Sequence, residues 1–144
     1  MTSVELKGTL KLFRKVVNMK ILTKNFSEKE MSCKCGTDCG AFMDSAFMWN
    51  LQILRTFMAV PFTINSAARC PKYNKAVGGV PDSMHLSDKK IGGARACDIS
   101  CTDSLFRFEL VKESMRLGFC GIGVAKTFIH IDTRPKEQSK MWTY

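Results

Sequence analysis

The sequence predicts an α+β domain in which a small, largely antiparallel sheet is flanked by helices. Two segments, within residues 44–58 and 102–118, carry apolar residues at the three- and four-residue spacing of an amphipathic helix. The β-type segments are short, and helices and strands follow one another without the regular alternation that builds a parallel sheet. A chain of 144 residues with 45% hydrophobic residues is long enough to form one packed core.

The chain divides into a basic N-terminal extension, residues 1–18, and a single domain, residues 19–144. Basic side chains in the first segment alternate with apolar residues at helical spacing, namely Leu6, Leu10, Phe13 and Val17. This pattern permits either a surface helix or loose extension, or an arm that binds a membrane or a partner. It lacks the continuous apolar stretch and cleavage site of a secretory signal, so we expect none.

The net charge of +9 indicates partners of opposite charge. Nucleic acid, an anionic membrane and a bacterial wall rich in carboxylates and phosphates all meet that condition. The lysine and arginine residues are scattered, and the sequence shows no recognisable nucleic-acid-binding module. No apolar run approaches the roughly 18 residues that cross a bilayer. We therefore expect no specific nucleic-acid partner and no transmembrane segment.

Seven cysteines make an odd set, which argues against a complete disulfide framework and predicts mostly reduced thiols. Cys33, Cys35 and Cys39 need separate consideration, because they lie two and four residues apart in a short loop. They could supply part of a structural zinc site with a fourth ligand from elsewhere, form a disulfide, or remain free thiols. The usual pair of cysteines separated by two residues is missing, so the pattern leaves these alternatives open.

The helices are predicted from their caps and apolar faces. A capping box at Ser27–Glu30 begins a brief helix, the main helix occupies residues 44–58, and residues 71–77 make two further turns. A second long helix, capped by Thr102 or Asp103, is predicted to bury one apolar stripe. The stripe consists of Leu105, Phe106, Phe108, Val111, Met115 and Leu117.

Four short segments are predicted as strands because they are rich in β-branched and apolar residues. These segments are residues 62–65, 94–99, 121–124 and 127–132. The last two form a hairpin through Ala125-Lys126. From Pro135 onward the chain is predicted to be a polar tail, in which Trp142 and Tyr144 are able to pack back on the domain.

The two histidines of the chain each lie near an aspartate, which points to a metal site. In the last predicted strand, His130 and Asp132 are two residues apart and face the same side, together with Phe128. Placing both on one face of an otherwise apolar strand is costly unless they bind something, and a metal ion is the simplest candidate. His85 and Asp98 complete a His/Asp/His set that leaves a fourth position for water, as in a catalytic zinc site.

Five short motifs follow one another along the chain. They are Asn65-Ser66-Ala-Ala-Arg69-Cys-Pro71, Asn74-Lys-Ala-Val-Gly-Gly79, Ser83-Met-His85-Leu, Ala96-Cys-Asp98-Ile and His130-Ile-Asp132. Together they resemble the zinc D-alanyl-D-alanine carboxypeptidase family, which belongs with bacterial and phage murein peptidases related to lysostaphin-type and hedgehog-fold metal sites. The resemblance spans about residues 20–134. It implies a hedgehog or D-Ala-D-Ala peptidase-like fold.

The resemblance also implies the roles of individual residues. His85, Asp98 and His130 would hold a catalytic zinc ion (Zn²⁺). Arg69 would orient the substrate peptide and stabilise the developing oxyanion, a role that suits a guanidinium group. Ser83 would lie beside the metal loop, with a structural or substrate-binding role.

Two features depart from the family pattern. Twelve residues, Leu86–Cys97, lie between the first histidine and the first ligand aspartate, which is longer than usual and indicates an inserted loop. Thr127 stands three residues before His130, where many relatives carry an acidic general base. Asp132 is the substitute candidate for the base. It could also be an outer partner of the metal ligands, or replace His130 as a ligand.

The implied function is zinc-dependent hydrolysis of peptidoglycan stem peptides, at a D-Ala-D-Ala end or at an L-Ala–D-Glu type bond. Because no secretory signal is predicted, we expect a phage lysin or a virion-associated wall-degrading protein, made in the host cytoplasm and acting at the cell wall. Other virion proteins are candidate partners. The rival hypothesis is a virion structural or wall-binding module that keeps the fold with little activity, which Thr127 and the basic extension favour.

Overall fold

The structure, a computed structural model, describes residues 23–37, 39–87 and 92–144. The predicted basic extension, its boundary at residues 18–19 and part of the predicted loop before Asp98 lie outside these residues. Within the described ranges, no helix combines the length and the hydropathy that crossing a bilayer requires.

The described part of the chain forms one five-stranded sheet. Its strands are β1 (Ile64–Ser66), β2 (Ala96–Ser100), β3 (Gly121–Val124), β4 (Phe128–Asp132) and β5 (Lys140–Thr143). They lie in the order β1-β2-β4-β3-β5, and every neighbouring pair is antiparallel except β3 and β5. The predicted α+β class, the largely antiparallel sheet and the β3–β4 hairpin are therefore confirmed.

The C-terminal residues correct the prediction of a polar tail. After a 3-10 turn at Lys136–Gln138, β5 lies parallel to β3 and extends the sheet by one strand. The Lys140 N–H donates to the Cys120 carbonyl over 2.9 Å, and the Tyr144 N–H donates to the Val124 carbonyl over 3.2 Å. The strand is hard to predict because its first and last residues, Lys140 and Thr143, are polar and exposed, as an edge strand allows.

Four helices flank the sheet in the described ranges: α1 (Glu28–Met31), α2 (Ser45–Met58), α3 (Pro71–Ala76) and α4 (Ser104–Arg116). The predicted capping box of α1 is present, because the Ser27 N–H donates to Glu30 Oε2 and the Glu30 N–H donates to Ser27 Oγ. Asp44 and Asp103 cap α2 and α4 through the same type of side-chain bond. Local sequence therefore sets where these helices begin.

One hydrophobic core joins α2, α4 and one face of the sheet. Its fully buried large side chains include Phe47, Leu51, Leu54, Ile99, Leu110, Ile129 and Ile131. Ile129 and Ile131 alternate along β4 with His130 and Asp132, as the sequence predicts. The polar residues of β4 are consequently on the opposite face of the sheet from the core.

The buried face of α4 differs from the predicted stripe. Leu105, Phe108 and Met115 are 70%, 63% and 56% exposed, whereas Leu110 and Ser114 are fully buried. Three other members of the stripe, Phe106, Val111 and Leu117, do pack against the core. The prediction failed because apolar residues lie on two faces of this helix, so its spacing alone does not identify the inner one.

The buried face of α4 also carries a charged residue, Glu113, which is 6% exposed. Its carboxylate is paired with Arg116 one turn later and lies 3.7 Å from the ammonium group of Lys112. A carboxylate at a buried position is acceptable when it is paired in this way. Because the predicted stripe was chosen from apolar residues alone, it did not include Glu113, which faces inward.

Replacing Leu110 by alanine is expected to lower the free energy of unfolding by about 2–5 kcal/mol, because it leaves a cavity in the core. The matched change Leu105→Ala on the exposed face is expected to alter it by no more than about 0.5 kcal/mol. Denaturant unfolding followed by circular dichroism measures both variants. Equal losses for the two variants would contradict the observed orientation of α4.

Candidate metal centre

The polar face of the sheet is built by β2 and β4. Asp98 on β2 lies directly opposite His130 on β4 in the antiparallel register. Residues opposite one another in such a pair place their side chains on the same face. The neighbours Cys97 and Ile99 turn to the core face instead. The register therefore brings the two predicted ligands together.

His85 reaches this face through a loop that is tied to the segment after β1. The Arg69 N–H donates to the His85 carbonyl over 2.7 Å, and the Ser87 N–H donates to the Arg69 carbonyl over 3.0 Å. The Arg95 N–H also donates to the carbonyl of Met84 over 2.8 Å. These backbone bonds hold the loop on both sides of the histidine, so its ring is fixed despite the lack of regular secondary structure.

Three donor atoms converge where the predicted ligands meet. Asp98 Oδ1 lies 3.2 Å from His85 Nε2 and 2.9 Å from His130 Nδ1, and the two ring nitrogens are 3.2 Å apart. A tetrahedral zinc ion with ligands at about 2.0–2.1 Å places its ligand atoms roughly 3.3 Å from one another. The spacing of these three atoms therefore fits a zinc ion, and His85, Asp98 and His130 together form a candidate metal-binding group.

The outer nitrogen of each histidine is held by an acceptor. Nδ1–H of His85 donates to the Ala67 carbonyl over 2.7 Å, and Nε2–H of His130 donates to Asp132 Oδ2 over 2.8 Å. In the neutral rings, both remaining lone pairs therefore point toward Asp98. A proton between two of the three atoms His85 Nε2, Asp98 Oδ1 and His130 Nδ1 satisfies only the contact between those two. A divalent cation binds all three atoms at once.

Asp98 uses its second oxygen to hold Arg69. The Arg69 Nη2 donates to Asp98 Oδ2 over 3.0 Å, and its Nε donates to Ser66 Oγ over 2.9 Å. The Arg69 side chain is 15% exposed and lines the same cavity as the three donors. Ser83 also lines this cavity, and its hydroxyl accepts the His85 N–H over 3.3 Å.

Asp132 is fully buried on the far side of the His130 ring from Asp98. Its carboxylate accepts the Arg134 N–H over 3.0 Å and the Arg134 Nε–H over 2.8 Å, in addition to the bond from His130. An ion pair with Arg134 Nη2 occupies its other oxygen as well. These contacts turn the carboxylate toward His130 and Arg134 rather than toward the three donor atoms.

The two aspartates of the site are charged at neutral pH. Burial raises the pKa of Asp98, but its contacts with the His130 and His85 rings outweigh burial and lower the pKa well below its usual range. Burial likewise raises the pKa of Asp132, and hydrogen bonds from His130 and Arg134 lower it in the same way. Two buried negative charges beside two imidazole rings provide the environment that a divalent cation requires.

A cavity of about 720 Å³ opens at the three donor atoms. Several residues that line the cavity were not predicted to be part of the site, namely Asp82, Gln138, Lys140, Trp142 and Tyr144. The Trp142 ring lies 5.1 Å from the His130 ring, so the predicted packing of the C-terminal aromatic residues takes place at the site. Alternation of residues 140, 142 and 144 was the signal available in the sequence.

A family model described as Peptidase M15 matches residues 24–132 of the chain. The chain belongs to the peptidase M15 family. The match includes every predicted site residue, and it confirms the resemblance that the five motifs indicated. The M15 peptidases are metallopeptidases that depend in general on zinc, which agrees with the donor set described above. No curated protein shows a significant match to this M15 chain.

Replacing Gly121 by alanine is expected to destabilise the site, because a Cβ at this position would overlap the Asp132 carboxylate. Asp132 is held by His130 and Arg134 and cannot move freely, so a loss of about 1–3 kcal/mol in the free energy of unfolding is expected. Denaturant unfolding provides the measurement.

The matched control is the same change in a chain that already carries Asp132→Ala, where the overlap is removed. The cost of Gly121→Ala should then fall, giving an interaction energy between the two positions. An equal cost in both backgrounds would mean that the loss comes from the strand backbone and not from Asp132.

Proposed function

We propose that this M15 chain is a zinc-dependent hydrolase of peptidoglycan stem peptides. The observation that carries the proposal is the convergence of His85 Nε2, Asp98 Oδ1 and His130 Nδ1 within 3.2 Å of one another at the floor of an open cavity. The bond cleaved would be a D-Ala-D-Ala end or an L-Ala–D-Glu type bond. The resemblance to phage murein peptidases supports a lysin or a virion-associated wall-degrading protein.

Cationic side chains in the lining of the cavity support a peptide that carries carboxylates as substrate, although three aspartates in the same lining balance their charge. Arg69, Arg134 and Lys140 line the cavity, and the peptide stems of bacterial walls carry carboxylates. The net charge of +9 favours approach to an anionic wall. We assign Arg69 to substrate orientation, since its guanidinium group is already fixed by Asp98 and Ser66 beside the donor atoms.

When bound, zinc would lower the pKa of a water molecule toward neutrality and polarise the scissile carbonyl. Hydrolysis also needs a group that takes a proton from this water and passes it to the leaving amine. Thr127 lies in the bend before β4 and is not among the residues that line the cavity.

Among the carboxylates that line the cavity, we assign proton transfer to Asp82. Asp98 is occupied by two histidines and Arg69, and Asp132 by His130 and Arg134. Asp82 is exposed and accepts no hydrogen bond within the described ranges, although it lies in the electrostatic field of Arg134. Asp132 then acts as a positioning residue, which fixes the tautomer and orientation of His130.

The alternative function is a wall-binding module with little catalysis. The observation that favours it is the lack of an acidic residue at position 127, together with the engagement of Asp132 by two partners. Such a module would bind peptidoglycan through the cationic side chains that line the same cavity. It differs from the hydrolase in releasing no peptide fragments.

Wild-type protein loaded with zinc is expected to release new amino groups from purified peptidoglycan, with mass spectrometry of the fragments identifying the bond. His85→Ala should lose this activity and the zinc of this centre together. Glu137→Gln, an exposed change outside the cavity lining, serves as the control and should retain both. Binding without release by the wild type would favour the wall-binding module, and undiminished release by zinc-free protein would refute the centre.

Asp82→Asn and Asp132→Asn are expected to separate proton transfer from positioning. Loss of a general base typically lowers kcat by about 10²–10⁴-fold, which we expect for Asp82→Asn with unchanged zinc affinity. Loss of an outer partner typically weakens metal binding by about 10–100-fold, which we expect for Asp132→Asn. Competition with a chelator and steady-state kinetics measure the two effects. The reverse pattern would return the base to Asp132.

A further inference from the structure

Four cysteines lie close to one another beside the segment that carries Arg69. Three of them, Cys33, Cys35 and Cys39, belong to the loop after α1, and Cys70 is the N-cap of α3. None of the four lines the cavity of the His/Asp/His centre. The chain brings them together across more than thirty residues, since Cys70 N–H donates to Cys33 Sγ over 3.3 Å with a separation of 37 positions.

The backbone holds the two pieces of this cluster in place. The Ala68 N–H donates to the Met31 carbonyl over 3.1 Å, which joins the segment after β1 to the end of α1. The Cys33 N–H donates to the Gly40 carbonyl over 3.1 Å and closes the cysteine loop on itself. The positions of the thiols are therefore set by main-chain bonds and do not depend on the side chains alone.

Three of the four sulfur atoms have the spacing of a tetrahedral metal site. Those of Cys33, Cys35 and Cys70 all lie within 4.8 Å of one another, and Cys39 Sγ lies 3.4 Å from Cys35 Sγ. Four thiolates around a zinc ion at about 2.3 Å are roughly 3.8 Å apart. Cys39 Sγ lies outside the group of three whose sulfurs are all within 4.8 Å of one another, so a site of four thiolates requires its side chain to turn toward that group.

Main-chain donors already face two of the sulfurs. Besides the bond to Cys33, the Tyr73 N–H donates to Cys70 Sγ over 3.4 Å at the start of α3. These N–H groups serve as outer hydrogen-bond partners that hold the two sulfurs in place. Cys97 and Cys101, by contrast, are buried in the hydrophobic core, where thiols behave as small apolar side chains.

We propose that Cys33, Cys35, Cys39 and Cys70 bind a structural zinc ion, separate from the centre formed by the histidines. Cys70 supplies the fourth ligand that the spacing of the first three requires from elsewhere. A closed set of four thiolates has no open position, so its role is to hold the cysteine loop against the start of α3. This inference does not depend on the proposed hydrolase activity.

The first test is the zinc content of the full chain, purified with a reducing agent and analysed by elemental mass spectrometry. Two zinc ions per chain are expected for the wild type and one for the double variant His85→Ala/His130→Ala. The double variant Cys35→Ser/Cys70→Ser should lose the other ion. Cys120→Ser is the matched control, since this cysteine lies outside the cluster, and it should retain two ions.

The second test keeps the proposal falsifiable even where a cysteine variant fails to fold. X-ray absorption at the zinc edge, recorded on His85→Ala/His130→Ala with its cysteines intact, should show four sulfur neighbours. A smaller sulfur count, or no zinc in this variant, would overturn the four-cysteine site. A Cys35–Cys39 disulfide in the protein purified with a reducing agent, detected by mass, would overturn it as well.

The two tests also separate this inference from the proposed function. Failure of the hydrolase proposal predicts no release of peptide fragments, whether or not the histidine centre holds zinc, while the sulfur-bound ion remains. Failure of the cysteine site predicts one ion per chain with nitrogen and oxygen neighbours and with peptide release intact. The sulfur neighbours of the ion test the cysteine site without an activity assay, and peptide release tests the hydrolase proposal separately.

Discussion

The Asp98 carboxylate lies at the centre of the polar face of the sheet, and its two oxygens hold different parts of that face. Oδ1 lies within 3.2 Å of both ring nitrogens, while Oδ2 accepts the guanidinium of Arg69. Removing a carboxylate from water costs several kcal/mol unless its remaining lone pairs are matched by charge and hydrogen bonds. This constraint explains why His85, His130 and Arg69 all converge on one aspartate. Loss of the aspartate would leave the two histidine nitrogens in place without the negative charge that attracts a cation.

The composition of β3 makes room for the side chains that complete the site. Gly121 lies opposite Asp132 in the register, and Gly123 lies opposite His130 and beside Trp142. A Cβ at Gly123 would lie 2.9 Å from the Trp142 ring and 2.8 Å from the Tyr144 ring, closer than real contacts allow. Glycine on the polar face and isoleucine on the core face of the same strand therefore let the second layer of the site approach the sheet, which is a common reason for glycine in a strand.

Much of the site could be predicted because its rules are local. Strand alternation places His130 and Asp132 on one face whatever the rest of the chain does, and a capping box at Ser27 fixes the start of a helix within four residues. The parts that could not be predicted depend on pairing between distant segments. Position along the sequence does not reveal that β5 lies beside β3, and the two apolar faces of α4 look equally suitable for burial until the neighbours of Leu110 are known.

The segment Ala67–Cys70 links the two groups of candidate metal-ligand side chains. The Ala67 carbonyl orients His85, Arg69 holds Asp98, and Cys70 lies in the cysteine cluster. Its neighbours in the chain are a three-residue strand and a six-residue helix, and elements of this length gain little stability by themselves.

Main-chain bonds to Met31 and His85 fix the segment from two sides, but both partners belong to short or irregular pieces of chain. A cross-link between Cys70 and the loop after α1 would therefore supply stability where the fold itself supplies least. A shift of Cys70 would move Arg69 and the acceptor of His85 together, so a metal ion bound by the cysteines would also hold the candidate metal centre without touching its cavity.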